Sequence, residues 1–102
     1  MAIYVNKDKA KFYLSDTDQD KAFYLQNGSA LKNIYDLYNY LRSITQTEYE
    51  LYANRTKNDF ASWVEGVFVN ERLKNNLVSA RTPKEAALYV ERNIKMLERN
   101  IK

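Results

Sequence analysis

The sequence predicts a mainly α fold: a compact bundle of four to five short helices with a short extended or hairpin N-terminal segment. Three observations carry that prediction. In the stretch 57–68, KNDFASWVEGVF, the residues Phe60, Trp63, Val64 and Val67 fall at i, i+3, i+4 and i+7, the spacing of one helix face. Five residues, Asn33, Thr45, Asn58, Asn70 and Thr82, stand where an N-cap would precede an apolar run. The chain of 102 residues has only two Gly and one Pro against 45% hydrophobic and 28% charged residues, a helix-rich globular composition.

Residues 1–21 are expected to form the extended or hairpin segment, and 22–102 the helical domain, the two sharing one core. Ile3-Tyr4-Val5 and Lys11-Phe12-Tyr13-Leu14 have the look of short extended runs, with Asn6-Lys7-Asp8-Lys9 as a turn between them. Asp16, Asp18 and Asp20 match the first ligand positions of a calcium loop. Lys21 stands where that loop needs Gly, however, and Asn27 where it needs a bidentate Glu, so no calcium is expected. Ala22-Phe23-Tyr24-Leu25 is a further extended run, closed by the turn dipeptide Asn27-Gly28.

The first helix follows from Asn33, with Ile34, Leu37, Leu41 and Ile44 on one side. Thr45 and Glu48 have capping-box spacing, and Tyr49, Tyr52 and Ala53 give the helix they open its apolar side. Asn58 caps the Trp63 helix, with Asp59 placed for the helix dipole. Gly66 within it predicts close approach of a neighbouring backbone. Asn70 caps the next helix, with Leu73 and Leu77 inward. In the last, Thr82 is the cap, Pro83 the first helical residue and Glu85 the partner in a capping box. Ala86, Val90, Ile94, Leu97 and Ile101 line its inner face, opposite Leu88, Arg92, Lys95, Arg99 and Lys102.

The run from Phe23 to Leu97 resembles a small domain family of unknown function that recurs in archaea and in some bacteria. The resemblance is carried by Phe23, Leu25 and Gly28, by Leu31, Leu37 and Leu41, by Lys57-Asn58-Asp59-Phe60 with Trp63-Val64, and by Leu73. It implies a helical fold built round an Asn-Asp-Phe-x-x-Trp helix, and no established chemistry. Where the family often has a His-containing segment, this chain has Leu51-Tyr52-Ala53-Asn54.

Composition excludes much chemistry. Without Cys or His there is no disulfide, thiolate nucleophile, imidazole base or soft metal site. No cofactor or metal is expected. Neither a Gly-rich phosphate loop nor a catalytic triad set is present. A carboxylate at Asp59, beside Trp63, would make a general acid if its pocket were apolar. At the first position of a helix it is read instead as a dipole-compensating residue. With no long apolar stretch and no signal-peptide core, no membrane association is expected, and the location expected is cytoplasmic.

The net charge of +3 matches the Lys-, Asn-, Tyr- and Ile-rich usage of an A/T-biased genome and does not itself select a polyanion. The one patterned surface is Arg92, Lys95, Arg99 and Lys102, which Arg55, Lys57, Arg72, Lys74 and Arg81 would extend. It would suit nucleic acid, though Glu91 and Glu98 border it. By elimination the leading expectation is a non-enzymatic protein-interaction or self-association module, since Tyr, Trp and Arg favour interfaces. A basic nucleic-acid-binding protein using the last helix is the alternative.

Overall fold

The computed structural model describes residues 6–101. Asn6, expected in a turn, accepts the Lys9 backbone N–H at 2.8 Å and caps helix α1, Lys7–Leu14. The Lys11 to Leu14 run is therefore helical and not extended. Asp8 in the first turn suits the helix dipole, and Ala10, Tyr13 and Leu14, at i, i+3 and i+4, face the core. Ile3-Tyr4-Val5 lies outside the described residues. Within the expected extended segment 1–21 the described residues thus hold a helix and a single 3-10 turn, Gln19–Lys21.

The hairpin forms later in the chain. Strand β1, Phe23–Tyr24, pairs antiparallel with β2, Ala30–Leu31, in the register Phe23 to Leu31 and Tyr24 to Ala30. Gly28 closes its turn at φ +91°, a value that favours glycine.

Helix α2, Ile34–Leu41, is capped by Asn33 and buries Ile34, Leu37 and Leu41; Ile44, just beyond it, is half-buried. Helix α3, Gln46–Glu50, carries the complete Thr45/Glu48 capping box and buries Tyr49. Residues 54–57 then make a loop pinned at its neck by the Ala53–Asn58 bridge and by the Asn54 N–H donating to the Lys57 carbonyl at 2.8 Å.

Asn58 caps α4, Asp59–Trp63, which runs directly into a π-helical turn, Val64–Phe68. A π-turn takes about five residues where an α-turn takes fewer, so the inward face slips by one position. Phe68 is buried and Val67, expected in the core, is only half-buried. Gly66 is exposed, and nothing lies near the place a side chain would occupy, so the expected backbone approach does not occur. The turn ends at Val69 in the left-handed region, φ 56° and ψ 37°.

Asn70 caps α5, Glu71–Ser79, and Thr82 caps α6, Pro83–Arg99. Glu85 departs from the expected reciprocal box: its Oε1 accepts from the Arg81 N–H at 2.6 Å, one residue before the cap. Helix α6 packs on α2, α5 and α1. Its residues Ala86, Val90, Ile94 and Leu97 join Leu37, Leu41, Phe60 and Trp63 in one continuous core. Among the described residues no helix is long and apolar enough to cross a membrane.

Candidate functional site

The Asn58, Asp59, Phe60 and Trp63 motif opens α4 and places two of its rings in the core. Asn58 Oδ1 accepts the Ala61 N–H at 2.9 Å while its Nδ2 donates to the Leu77 carbonyl at 3.0 Å, tying α4 to the end of α5. The Asp59 carboxylate faces solvent and pairs with Lys57 at 2.8 Å rather than entering an apolar pocket. Phe60 is fully buried and is the hub of the aromatic core, with the rings of Phe23, Tyr40, Tyr49 and Tyr52 packed round it. Trp63 lies edge-on to Phe23 and Phe68.

Two half-buried tyrosines of α2 bond at their tips to α6. Tyr35 and Tyr38 on α2 donate to Glu98 and Glu91 on α6, at 2.9 and 3.0 Å. Burial raises the Tyr35 hydroxyl above its ordinary value, and the Glu98 carboxylate adds to the rise. Burial, helped by the neighbouring Tyr52 hydroxyl, pushes Tyr40 up to about 12. Tyr49 is also raised, by burial and then by the charge of Glu85. Its hydroxyl is buried and has no hydrogen-bond partner among the described residues.

A groove of about 850 Å³ lies between α3, the 54–57 loop and the α5–α6 turn. Tyr49, Ala53, Val78 and Ala80 give it an apolar lining, and Arg55, Lys57 and Arg81 supply three cations against the single carboxylate of Glu50. Gln46 closes one end, its Nε2 donating to the Arg81 carbonyl at 3.0 Å. Val78 is 56% exposed here, an apolar side chain left facing water.

Arg92, Lys95 and Arg99 stand on the outer face of α6, all exposed, and none forms an ion pair among the described residues. Lys102 lies outside the described residues. Glu91 and Glu98, expected to border and offset these cations, are held on the α2 side by Tyr38 and Tyr35. Arg72 on α5 and Arg92 flank a second, smaller cleft of about 200 Å³ between α5 and α6. Arg55, Lys57 and Arg81 belong to the groove instead, and Lys74 pairs with Glu65 at 3.4 Å, so the extended basic surface divides into two separate sites.

Sequence reasoning missed both concavities, because each is assembled from residues whose side chains are unremarkable in their own segments. One signal was present: Asn93 falls three residues after Val90, on the apolar stripe of α6, where a polar residue must find a partner. Among the described residues, no group of three or more His, Cys, Asp or Glu is placed to hold a metal ion. No known protein family, curated protein or solved structure matches this chain.

Proposed function

We propose that the protein is a non-enzymatic, cytoplasmic interaction module whose groove between α3 and the α5–α6 turn receives an acidic peptide segment of a protein partner. The observation that carries this reading is the groove's composition: apolar Tyr49, Ala53, Val78 and Ala80 beside Arg55, Arg81 and the Asp59-paired Lys57, with Glu50 the one carboxylate in the lining. An apolar lining supplies affinity, and the cations at its rim, of which Arg55 and Arg81 form no ion pair among the described residues, select and steer an acidic occupant. The absence of cysteine fits a cytoplasmic setting, where disulfides are rare.

The test is fluorescence anisotropy with two peptide sets, one pairing acidic residues with an apolar anchor and the other with the charges reversed. Acidic peptides should bind in a salt-sensitive manner, and R55Q/R81Q should weaken them about ten-fold, as loss of charged contacts does. Equal binding of both sets, or no effect of the double variant, would refute the reading. Sedimentation of the free protein reports whether a second copy occupies the groove instead.

A second reading, nucleic-acid binding along α6, is favoured by the diversion of Glu91 and Glu98 to the α2 tyrosines, which leaves Arg92, Lys95 and Arg99 unopposed. Binding of this kind would fall steeply with salt, since each neutralised phosphate releases counterions. It should be lost in R92Q/K95Q/R99Q. Persistence of gel-shift binding in that triple variant would remove this second reading.

A further inference from the structure

We propose that Asn27 is a self-modification site, where the folded chain converts its own side-chain amide to a carboxylate through a cyclic imide closed by the Gly28 nitrogen. Of the two glycines in the sequence, Gly28 and Gly66, only Gly28 follows an asparagine. With no Cβ on the residue that carries it, the Gly28 nitrogen meets no steric block in reaching the amide carbon of Asn27.

The hairpin turn presents this pair to water. Gln26, Asn27, Gly28 and Ser29 are all exposed, and nothing lies within 4 Å of the place a Gly28 side chain would occupy, so a cyclic imide has room to form. Asn27 Oδ1 accepts the Ser29 N–H at 2.9 Å, which folds the side chain back along the Gly28 peptide unit. The same N–H faces the negative charge that develops on Oδ1 when nitrogen adds to Cγ, the role of an oxyanion donor. One bond opposes the reaction: the Gly28 N–H donates to the Leu25 carbonyl at 3.0 Å and must let go before the nitrogen attacks. An exposed turn opens locally at small cost, so this bond slows the step without preventing it.

The chemistry balances with water alone. The Gly28 nitrogen gives its proton to a solvent base and bonds to Asn27 Cγ, while the side-chain nitrogen takes up a proton and leaves as ammonia. Water then opens the imide. Addition at Cγ breaks the new bond and leaves aspartate; addition at the main-chain carbonyl carbon of Asn27 breaks the original peptide bond and leaves isoaspartate, with the chain now running through Cβ and Cγ. Either product lowers the net charge of +3 by one. Isoaspartate also lengthens the main chain by a methylene, inside a turn pinned by the Leu25 N–H on the Ser29 carbonyl at 2.8 Å. The Gln26 N–H donates to the Tyr52 hydroxyl at 3.0 Å, tying this turn to a ring packed on Phe60. A lengthened turn strains both bonds, so the isoaspartyl form loses part of the hairpin's hold on the aromatic core. None of this rests on the peptide reading of the larger groove.

The test is prolonged incubation of the full chain at neutral and at mildly acidic pH, followed by intact mass and peptide mapping, with a sample unfolded in urea alongside. The expected result is the mass gain of NH₂ exchanged for OH, located at Asn27 in the folded protein and faster at the higher pH, where the attacking nitrogen loses its proton more readily. N27Q, whose longer side chain would need a larger ring, should lose that gain. The isoaspartyl fraction, separated by its charge and by its peptide map, should melt below the parent. N27D carries the same charge on an unaltered backbone and should melt like the parent. Absence of the gain in the folded chain after the urea sample has fully converted, a gain located at another asparagine, or a gain undiminished in N27Q would overturn the proposal. An isoaspartyl fraction that melts like N27D would overturn the loss of hold on the core.

Discussion

The indole N–H of Trp63 donates to the backbone carbonyl of Lys21 at 2.8 Å, joining the end of α4 to the residue that leads into the hairpin, 42 positions earlier. The bond gives a nearly buried ring its one polar partner and holds the 19–25 segment against the aromatic core. Trp63→Ala should destabilise the protein by about 3–5 kcal/mol, the usual range for a buried large aromatic. Trp63→Phe keeps most of the ring and loses the bond, and should lose about 1 kcal/mol. Urea denaturation of the two variants separates packing from hydrogen bonding.

Val69 sits at φ 56° with its side chain 64% exposed. A left-handed conformation disfavours an L-residue by about 1–2 kcal/mol, most of all a β-branched one. Val69→Gly relieves that strain and gives up little buried surface, but loses part of the gain to the greater entropy of the unfolded chain. The expected net effect is a stabilisation of about 1 kcal/mol, read as a higher midpoint in urea at unchanged slope.

The raised tyrosines predict alkaline sensitivity. An unfolded tyrosine ionises near pH 10, whereas Tyr40 in the fold holds its proton to about 12. Between those values the folded state binds more protons than the unfolded one, so stability falls as pH rises. The contribution is fully present below about pH 10 and is lost as pH climbs towards 12, with Tyr35 and Tyr49 acting in the same direction. Denaturation midpoints across this window should fall less steeply for Tyr40→Phe.

The unpartnered hydroxyl of Tyr49 makes that ring a site of available stability. Tyr49→Phe removes a buried polar atom that bonds to nothing, and should raise stability by about 1 kcal/mol. A loss of similar size in a thermal melt would show that the hydroxyl has a partner such as an ordered water.

Much of the helical architecture is legible in the sequence because its signals are local. Asn33, Thr45, Asn58, Asn70 and Thr82 all cap the helices expected of them, and α6 shows its inner face through the spacing of Val90, Ile94 and Leu97. The segment Lys7–Leu14 was hidden because its apolar residues cluster at one end and mimic a strand, while Asn6 serves equally as turn residue and cap. Val67 was expected at the core position that Phe68 takes because α-periodicity assumes a constant pitch. The diversion of Glu91 and Glu98 was beyond reach, since it depends on which side of α6 meets the tyrosines of α2. The cation stripe could be seen from spacing alone, but the groove and the cleft are tertiary and leave no mark in any one segment.

The π-turn after Trp63 has a meaning in the arithmetic of chain length. Remove Gly66, and Phe68 moves to the seventh position after Phe60, so that Phe60, Trp63, Val64 and the displaced phenylalanine fall at ideal α-helical intervals. The sequence therefore behaves as a regular helix bearing a one-residue insertion, with an exposed glycine at the point of excess. Deleting a single residue from a helix ordinarily rotates everything beyond it by about 100° and tears the core. Here the same deletion should leave Phe68 facing inward. A variant lacking Gly66 that still folds cooperatively, with Trp63 fluorescence characteristic of a buried ring, would identify this turn as a point where the lineage could gain or shed a residue without rebuilding its interior.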